Sequence, residues 1–348
     1  MFNRSLAVLA VVFGASLVGC AGRQHSSVAA SGPTTDIARA GTVTEYMLHS
    51  KYAEPVGITA GPDGNLWFTE SGADKIGRIT PAGIITVYNA PAQSQPEGIT
   101  AGPDGDLWFT EFAASKIGKI TPSGVVTSYK LPSSSSGPSE IAVGSDGDLW
   151  FTEINGNKIG KMSTSGRLTE YSEQGVVGIV KGPDGNMWFT VGPPPTWGGL
   201  GASKIGTMTS AGRLTEIGLP APNHGYAGPG QNDAYSDSED LIVGADHRLW
   251  FTGNDRNQIA NITAGGAVTK YRLQTANSWP SGIVLGPDNN VWFTEFGSNK
   301  IGSITTGGVV AEYRLPTKNS GPLGIAVGRD GNLWFTEKDA DKIGKIVP

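Results

Sequence analysis

Seven times this chain spells Trp-Phe-Thr, at Trp67, Trp108, Trp150, Trp188, Trp250, Trp292 and Trp334. The intervals are 41 or 42 residues, apart from one of 38 and one of 62. Most copies follow a tight turn such as Gly61-Pro62-Asp63-Gly64, and five run on into a glutamate, as in Leu66-Trp67-Phe68-Thr69-Glu70. Self-similarity at such a period means a repeat architecture, whatever number of domains the length suggests. Seven of the nine tryptophans are used in it, so the repeat is the fold.

The second unit shows what one repeat builds. Gly98 to Ala101 reads as a short strand, and Gly102-Pro103-Asp104-Gly105 as a hairpin turn in which Pro fixes φ and Gly accepts positive φ. Leu107 to Glu111 is a second strand, rich in aromatic and β-branched residues. Lys116 to Ile120 is a third, and Pro122-Ser123-Gly124 turns the chain into a fourth, Val125 to Tyr129. Four short antiparallel strands per repeat predict an all-β fold, a seven-bladed β-propeller spanning residues 41–348. A fourth-strand phrase, Gly41 to Tyr46, precedes the first blade, while the last blade stops at Ile346-Val347-Pro348 without one. Residues 42–48 should therefore pair with Lys342–Ile346 and close the ring.

Alternating strand direction assigns the two faces. The Gly-Pro-Asp-Gly turns share one face with the short turns between strands three and four. The loops from strand two to three, and from strand four to the next blade, share the other. Both large insertions fall on that second face: Val191 to Ser203, with Trp197, and Leu219 to Asp240, with His224, Tyr226, Asp233, Tyr235 and Asp240. Rigid scaffolds present function on loops, which makes this the expected working face.

Residues 1–20 stand apart. Arg4 gives a positive head, and Leu6 to Leu17 is an apolar run too short to span a bilayer as a mature helix. It ends in Leu17-Val18-Gly19-Cys20, which resembles the lipobox of bacterial lipoproteins. The resemblance implies cleavage after residue 19, a lipid on Cys20, and a place in the bacterial cell envelope, facing periplasm or exterior; an ordinary secretory signal is the alternative. Residues 20–40 read as a lipidated cysteine and flexible tether. Cys20 is the only cysteine, so no internal disulfide forms. The formal charge of −5 becomes −6 without Arg4, and mild acidity over so long a chain argues against a nucleic-acid partner. The expected state is a monomer, with a small-molecule or protein ligand on the propeller face.

Several residues are candidates for chemistry. Glu70, Glu111, Glu153, Glu295 and Glu337 end the second strand on the working face. Carboxylates such as Glu111, Glu295 and Glu337 could hold magnesium or calcium through oxygen ligands. Repetition equally fits a structural role, with each glutamate satisfying backbone groups or a third-strand lysine such as Lys116. Departures from the repeat are more informative. Val191 and Gly253 replace the glutamate in blades four and five, Asp255 follows the latter, and Glu97 and Glu140 add carboxylates at the mouths of blades two and three. His49 and His224 are the working-face histidines and candidates for acid–base work.

The repeat phrase, Gly-Ile-x-x-Gly-Pro-Asp-Gly-x-Leu-Trp-Phe-Thr-Glu followed by Asn-Lys-Ile-Gly-Arg-Ile-Thr, resembles the streptogramin B lyases, also called virginiamycin B lyases. The resemblance covers residues 41–348. It implies a seven-bladed propeller that opens a cyclic depsipeptide by elimination across its ester bond, with magnesium. It also implies two histidines in Pro-His-(Ala/Gly)-Ile phrases, a glutamate two residues before the second, and another after the last Trp-Phe. Here those phrases read Pro280-Ser281-Gly282-Ile283 and Pro322-Leu323-Gly324-Ile325, and Gly321 replaces the first glutamate. Glu337 alone matches. The expectation is a lipid-anchored binding propeller with its ligand over blades four and five. The alternatives are a diverged carbon–oxygen lyase or hydrolase using working-face carboxylates, Glu337 and His224 among them, and a scaffold within an envelope assembly.

Overall fold

Trp67 and Phe68 point to opposite faces of one strand, and each is packed in its own way. The Phe68 ring lies flat on Gly77 of the neighbouring strand, where a Cβ would fall 2.1 Å from it. The same Phe-on-Gly contact recurs at Gly118, Gly160, Gly206, Gly302 and Gly344. Trp67 stacks on Tyr88 at 5.5 Å, with the Arg78 guanidinium 5.5 Å above its ring. Its indole N–H donates to Asp63 Oδ1 at 3.0 Å, and that oxygen also accepts the N–H of Asn65. All seven turn aspartates take an indole N–H in this way. They hold the turn and the core tryptophan together, a second duty the sequence reading did not give them.

The computed structural model describes residues 40–192, 204–219, 240–253 and 257–348. Cys20, Trp197, His224, Tyr226, Asp233, Tyr235 and Asp255 lie outside the described residues. Seven four-stranded antiparallel sheets are present, each with strands in the order inner, second, third, fourth. Blade one runs Pro55–Ala60, Leu66–Glu70, Lys75–Ile79 and Ile85–Asn89. In blade five the inner strand is only Leu241–Val243. Blade seven takes Pro322–Val327, Leu333–Glu337 and Lys342–Ile346, and its fourth strand is Val43–Met47, with Val43 opposite Ile346 and Met47 opposite Lys342. The ring closes as the sequence predicts.

The apolar core lies between blades. Trp334 of blade seven is buried with Ile58, Leu66, Phe68 and Ile79 of blade one, and the other junctions repeat the arrangement. A polar link runs alongside. The buried Thr69 hydroxyl accepts the N–H of Gly57 at 2.9 Å and donates to the carbonyl of Glu97 in the next blade at 2.7 Å. Thr110, Thr252, Thr294 and Thr336 do the same at their junctions. Thr110→Val keeps the shape but leaves the N–H of Gly98 and the carbonyl of Ser139 without a partner. The expected cost is about 2–3 kcal/mol, read as a lower urea midpoint with unchanged slope. The exposed Thr127→Val should move it by less than ~0.5 kcal/mol.

Candidate functional site

The inner strand of a blade is a sheet edge, so alternate backbone groups of that strand face the axis. Each complete inner strand also carries a bulge, between Pro55 and Ile58 in blade one and at the matching places in blades two, three, four, six and seven. Glycine fills the bulge in most of them because the next blade's backbone is so close. A Cβ on Gly57 would lie 2.4 Å from the Glu97 carbonyl, and one on Gly98 2.4 Å from that of Ser139.

Two blades place an acid there instead. Glu140 takes the bulge position in blade three, and Asp240 the equivalent position in blade five. Glu97 of blade two joins them from one position earlier. Asp240 is held by backbone N–H groups, Leu241 onto Oδ1 at 2.8 Å and Ile283 onto Oδ2 at 3.2 Å. Glu97 accepts the Ser139 hydroxyl at 2.9 Å. Glu140 lies within charge range of both other carboxylates. All three are half-buried, and protein atoms crowd their carboxyls, so they are poorly solvated. Burial pushes Glu97 up to about 7, against the Ser139 hydrogen bond and the nearby Lys338 ammonium. Burial, then the negative charges of Asp240 and Glu97, raises Glu140 far above the ordinary carboxylate range. Asp240 is raised too, by burial, in spite of its two N–H donors. The group keeps protons near neutral pH and suits a ligand offering hydrogen-bond acceptors, donors or positive charge.

The second-strand glutamates are placed differently. Glu70, Glu111, Glu153, Glu295 and Glu337 are fully buried, each in its own blade. Burial raises all five, with Glu153, Glu295 and Glu337 reaching about 7. Hydroxyls are their nearest polar company: Ser128 donates to Glu111, and Ser298 donates to Glu295 at 2.7 Å. The third-strand lysines stand opposite these glutamates, and several reach hydrogen-bond partners on the other side. Lys300 bridges Thr275 and Glu312, and Lys342 bridges Thr317 and Glu45, all within 2.5–2.7 Å. Among the described residues, no three His, Cys, Asp or Glu side chains are grouped as a metal would require. Glu111, Glu295 and Glu337 do not converge. His49 is exposed, close enough to Glu70 for its charge to be felt there.

Ser281 is 3 % exposed and its hydroxyl donates to the Trp279 carbonyl at 3.2 Å. Leu323 is half-buried, and Gly321 is buried at φ +62°. A model of the virginiamycin B lyase family matches residues 21–229 and 230–348. The chain belongs to that family. The virginiamycin B lyase from Staphylococcus aureus, solved with selenomethionine, is 35% identical, with a TM-score of 0.77 over 88% of this chain and 99% of that one. A catalytically inactive histidine-to-alanine variant of the Staphylococcus aureus enzyme, solved with quinupristin, is 34% identical with the same TM-score and coverage. A streptogramin B lyase structure gives 35% and 0.76, over 87% of this chain and 96% of that one.

Glu337 belongs to the repeated buried series with Glu70 and Glu153. Its presence here is explained by the repeat. The magnesium that the family implies does not fit the residues present. Gly321 and Leu323 offer no oxygen side chain, and both Glu337 carboxylate oxygens are shut away from solvent.

Proposed function

We propose that this virginiamycin B lyase family member is a lipid-anchored propeller of the bacterial cell envelope that binds a ligand on its working face, without substantial streptogramin-opening activity. What supports the reading is that the family resemblance puts Ser281 and Leu323 in its histidine phrases, while the carboxyls of Glu97, Glu140 and Asp240 lie within charge range of one another. Elimination needs a base over the substrate, worth typically ~10² to 10⁴ in rate. Leucine supplies none, and the Ser281 hydroxyl is turned to the Trp279 carbonyl. The ligand would reach from the axial acids to the inserted loops of blades four and five, where Trp197, His224, Tyr226, Asp233, Tyr235 and Asp255 add aromatic surface and charge.

The expected result with purified residues 21–348, magnesium and a type B streptogramin is no mass change from ring opening. A second reading keeps carbon–oxygen bond cleavage and assigns proton transfer to Glu97 and Glu140. What favours it is family membership together with carboxyls that hold protons near neutral pH. Turnover abolished by Glu140→Gln would establish that reading and overturn the first. Turnover abolished by His224→Ala would instead place the base in the insertion.

A further inference from the structure

Each blade turns from its third to its fourth strand at a corner on the face opposite the working face, and the residue after the corner glycine stands at the rim. By the repeat these seven residues lie at one level: Thr42, Ile84, Val125, Arg167, Arg213, Ala267 and Val309. Ile84, Val125 and Val309 are 65, 62 and 69% exposed, among the largest exposures of apolar side chains among the described residues. They belong to blades one, two and six, and so flank the place where the chain enters blade seven at Gly41. Arg167 and Arg213 continue the rim through blades three and four, and both are exposed. The corner stretches themselves (80–84, 121–125, 163–167, 209–213, 263–267 and 305–309) contain no acidic residue. The aspartates of that face lie nearer the axis, where they take indole N–H groups and pair with Arg78, Lys119 and Lys161.

We propose that this rim lies against the lipid bilayer and turns the working face away from the membrane. Three aliphatic side chains on one arc and two arginines on the other match the interfacial chemistry of an anionic membrane, which adds apolar insertion to headgroup attraction. The occupant follows from where the chain leads: the stretch before Gly41 begins in the apolar run Leu6 to Leu17 and joins the ring at this same rim. About twenty residues separate Cys20 from Gly41, and a flexible chain of that length would span only ~25 Å. The proposal rests on the anchored reading for its setting, yet the rim's own affinity is measurable without a lipid on the protein.

The ring closes within residues 41–347, so residues 21–348 are the protein to use. Sedimentation with vesicles of phosphatidylethanolamine and phosphatidylglycerol should show binding that weakens as salt rises. Combining Ile84→Asp, Val125→Asp and Val309→Asp should weaken it on the order of tenfold or more. Arg167→Glu with Arg213→Glu should remove most of the salt dependence, and all five sites are exposed enough to leave the melting temperature nearly unchanged. Unbound wild type, or equal binding by both variants, overturns the proposal. So does a wild-type dimer that the triple variant dissociates without any vesicle binding, because the rim would then meet a second copy of this chain. Detergent partitioning of the full chain carrying Cys20→Ala tests the anchor separately, and its outcome leaves the vesicle result as it stands.

Discussion

Removing residues 1–48 should leave no stably folded propeller. The loss includes the whole of Val43–Met47 and its pairing with Lys342–Ile346. It also includes the Tyr46 ring stacked on Trp334 at 5.5 Å, and the buried Leu48. Lys342 loses Glu45, and Thr317 loses two hydrogen bonds to the same carboxylate. Full burial of Leu48 is worth roughly 1.5–3 kcal/mol, and the half-buried Val43 and Tyr46 add somewhat less each. Their sum is comparable with the ~5–15 kcal/mol that keeps a whole domain folded. The Lys342–Ile346 edge would also be open to pairing with other chains. Residues 41–348 should keep the full urea midpoint, whereas residues 49–348 should be insoluble or unfold without a cooperative transition. Equal midpoints for the two would mean that closure contributes nothing.

The propeller should melt at a higher temperature near pH 5 than at pH 8, opposite to a protein stabilised by surface carboxylates. Burial pushes Glu97, Glu153, Glu295 and Glu337 up to about 7, and raises Glu70, Glu111, Glu140 and Asp240 as well. In the unfolded chain these acids lose their protons near pH 4–4.5. Between there and about pH 7 the folded state binds more protons than the unfolded one, so stability falls as pH rises and then levels off. Allowing each of the four numbered glutamates only ~1 kcal/mol gives about 4 kcal/mol, and so roughly ten degrees. Below about pH 4 the trend reverses. Glu45, Asp146 and Glu312 lie below their ordinary values, because hydrogen bonds from lysines and their neighbours outweigh burial. Melting curves at constant ionic strength across pH 4–8 decide the matter, and Glu153→Gln should flatten the slope. A melting temperature that climbs from pH 5 to pH 8 refutes the account.

The fold was legible because one strand phrase carries most of its packing instructions. Trp67, Phe68 and Gly77 each specify a contact that only a twisted four-stranded sheet can make, and seven copies leave no other partner for their surfaces. Ring closure was legible from a count of fourth strands. The site was less so. Glu97, Glu140 and Asp240 are far apart in sequence and meet only because the ring closes. A signal for two of them was present: Glu140 and Asp240 stand where Gly57, Gly98, Gly282 and Gly324 stand in other blades. The third-strand lysines serve two sides: Lys300 stands opposite Glu295 in the ladder, where its charge is felt, as the reading of Lys116 and Glu111 supposed. On its other side Lys300 stands across from Arg314 of the fourth strand and reaches Glu312. Thr69 gave no warning of its role, since a threonine in a strand ordinarily reads as β-propensity.

The threonine links also join one another in series. The carbonyl of Glu97 and the N–H of Gly98 belong to a single peptide group, which accepts from Thr69 and donates to Thr110. The peptides at Ser139, Ser281, Leu323 and Val56 occupy the same place at their junctions. From the N–H of Asp240 the run passes through Thr252, Thr294, Thr336, Thr69 and Thr110 and arrives at Thr152 through the N–H of Glu140. Every hydroxyl in it points the same way round the axis, so each bond polarises the next by roughly 10–30%. Over the described junctions the propeller thus carries a run of dipoles aligned head to tail, and the N–H groups of both acids that break the glycine pattern donate into it.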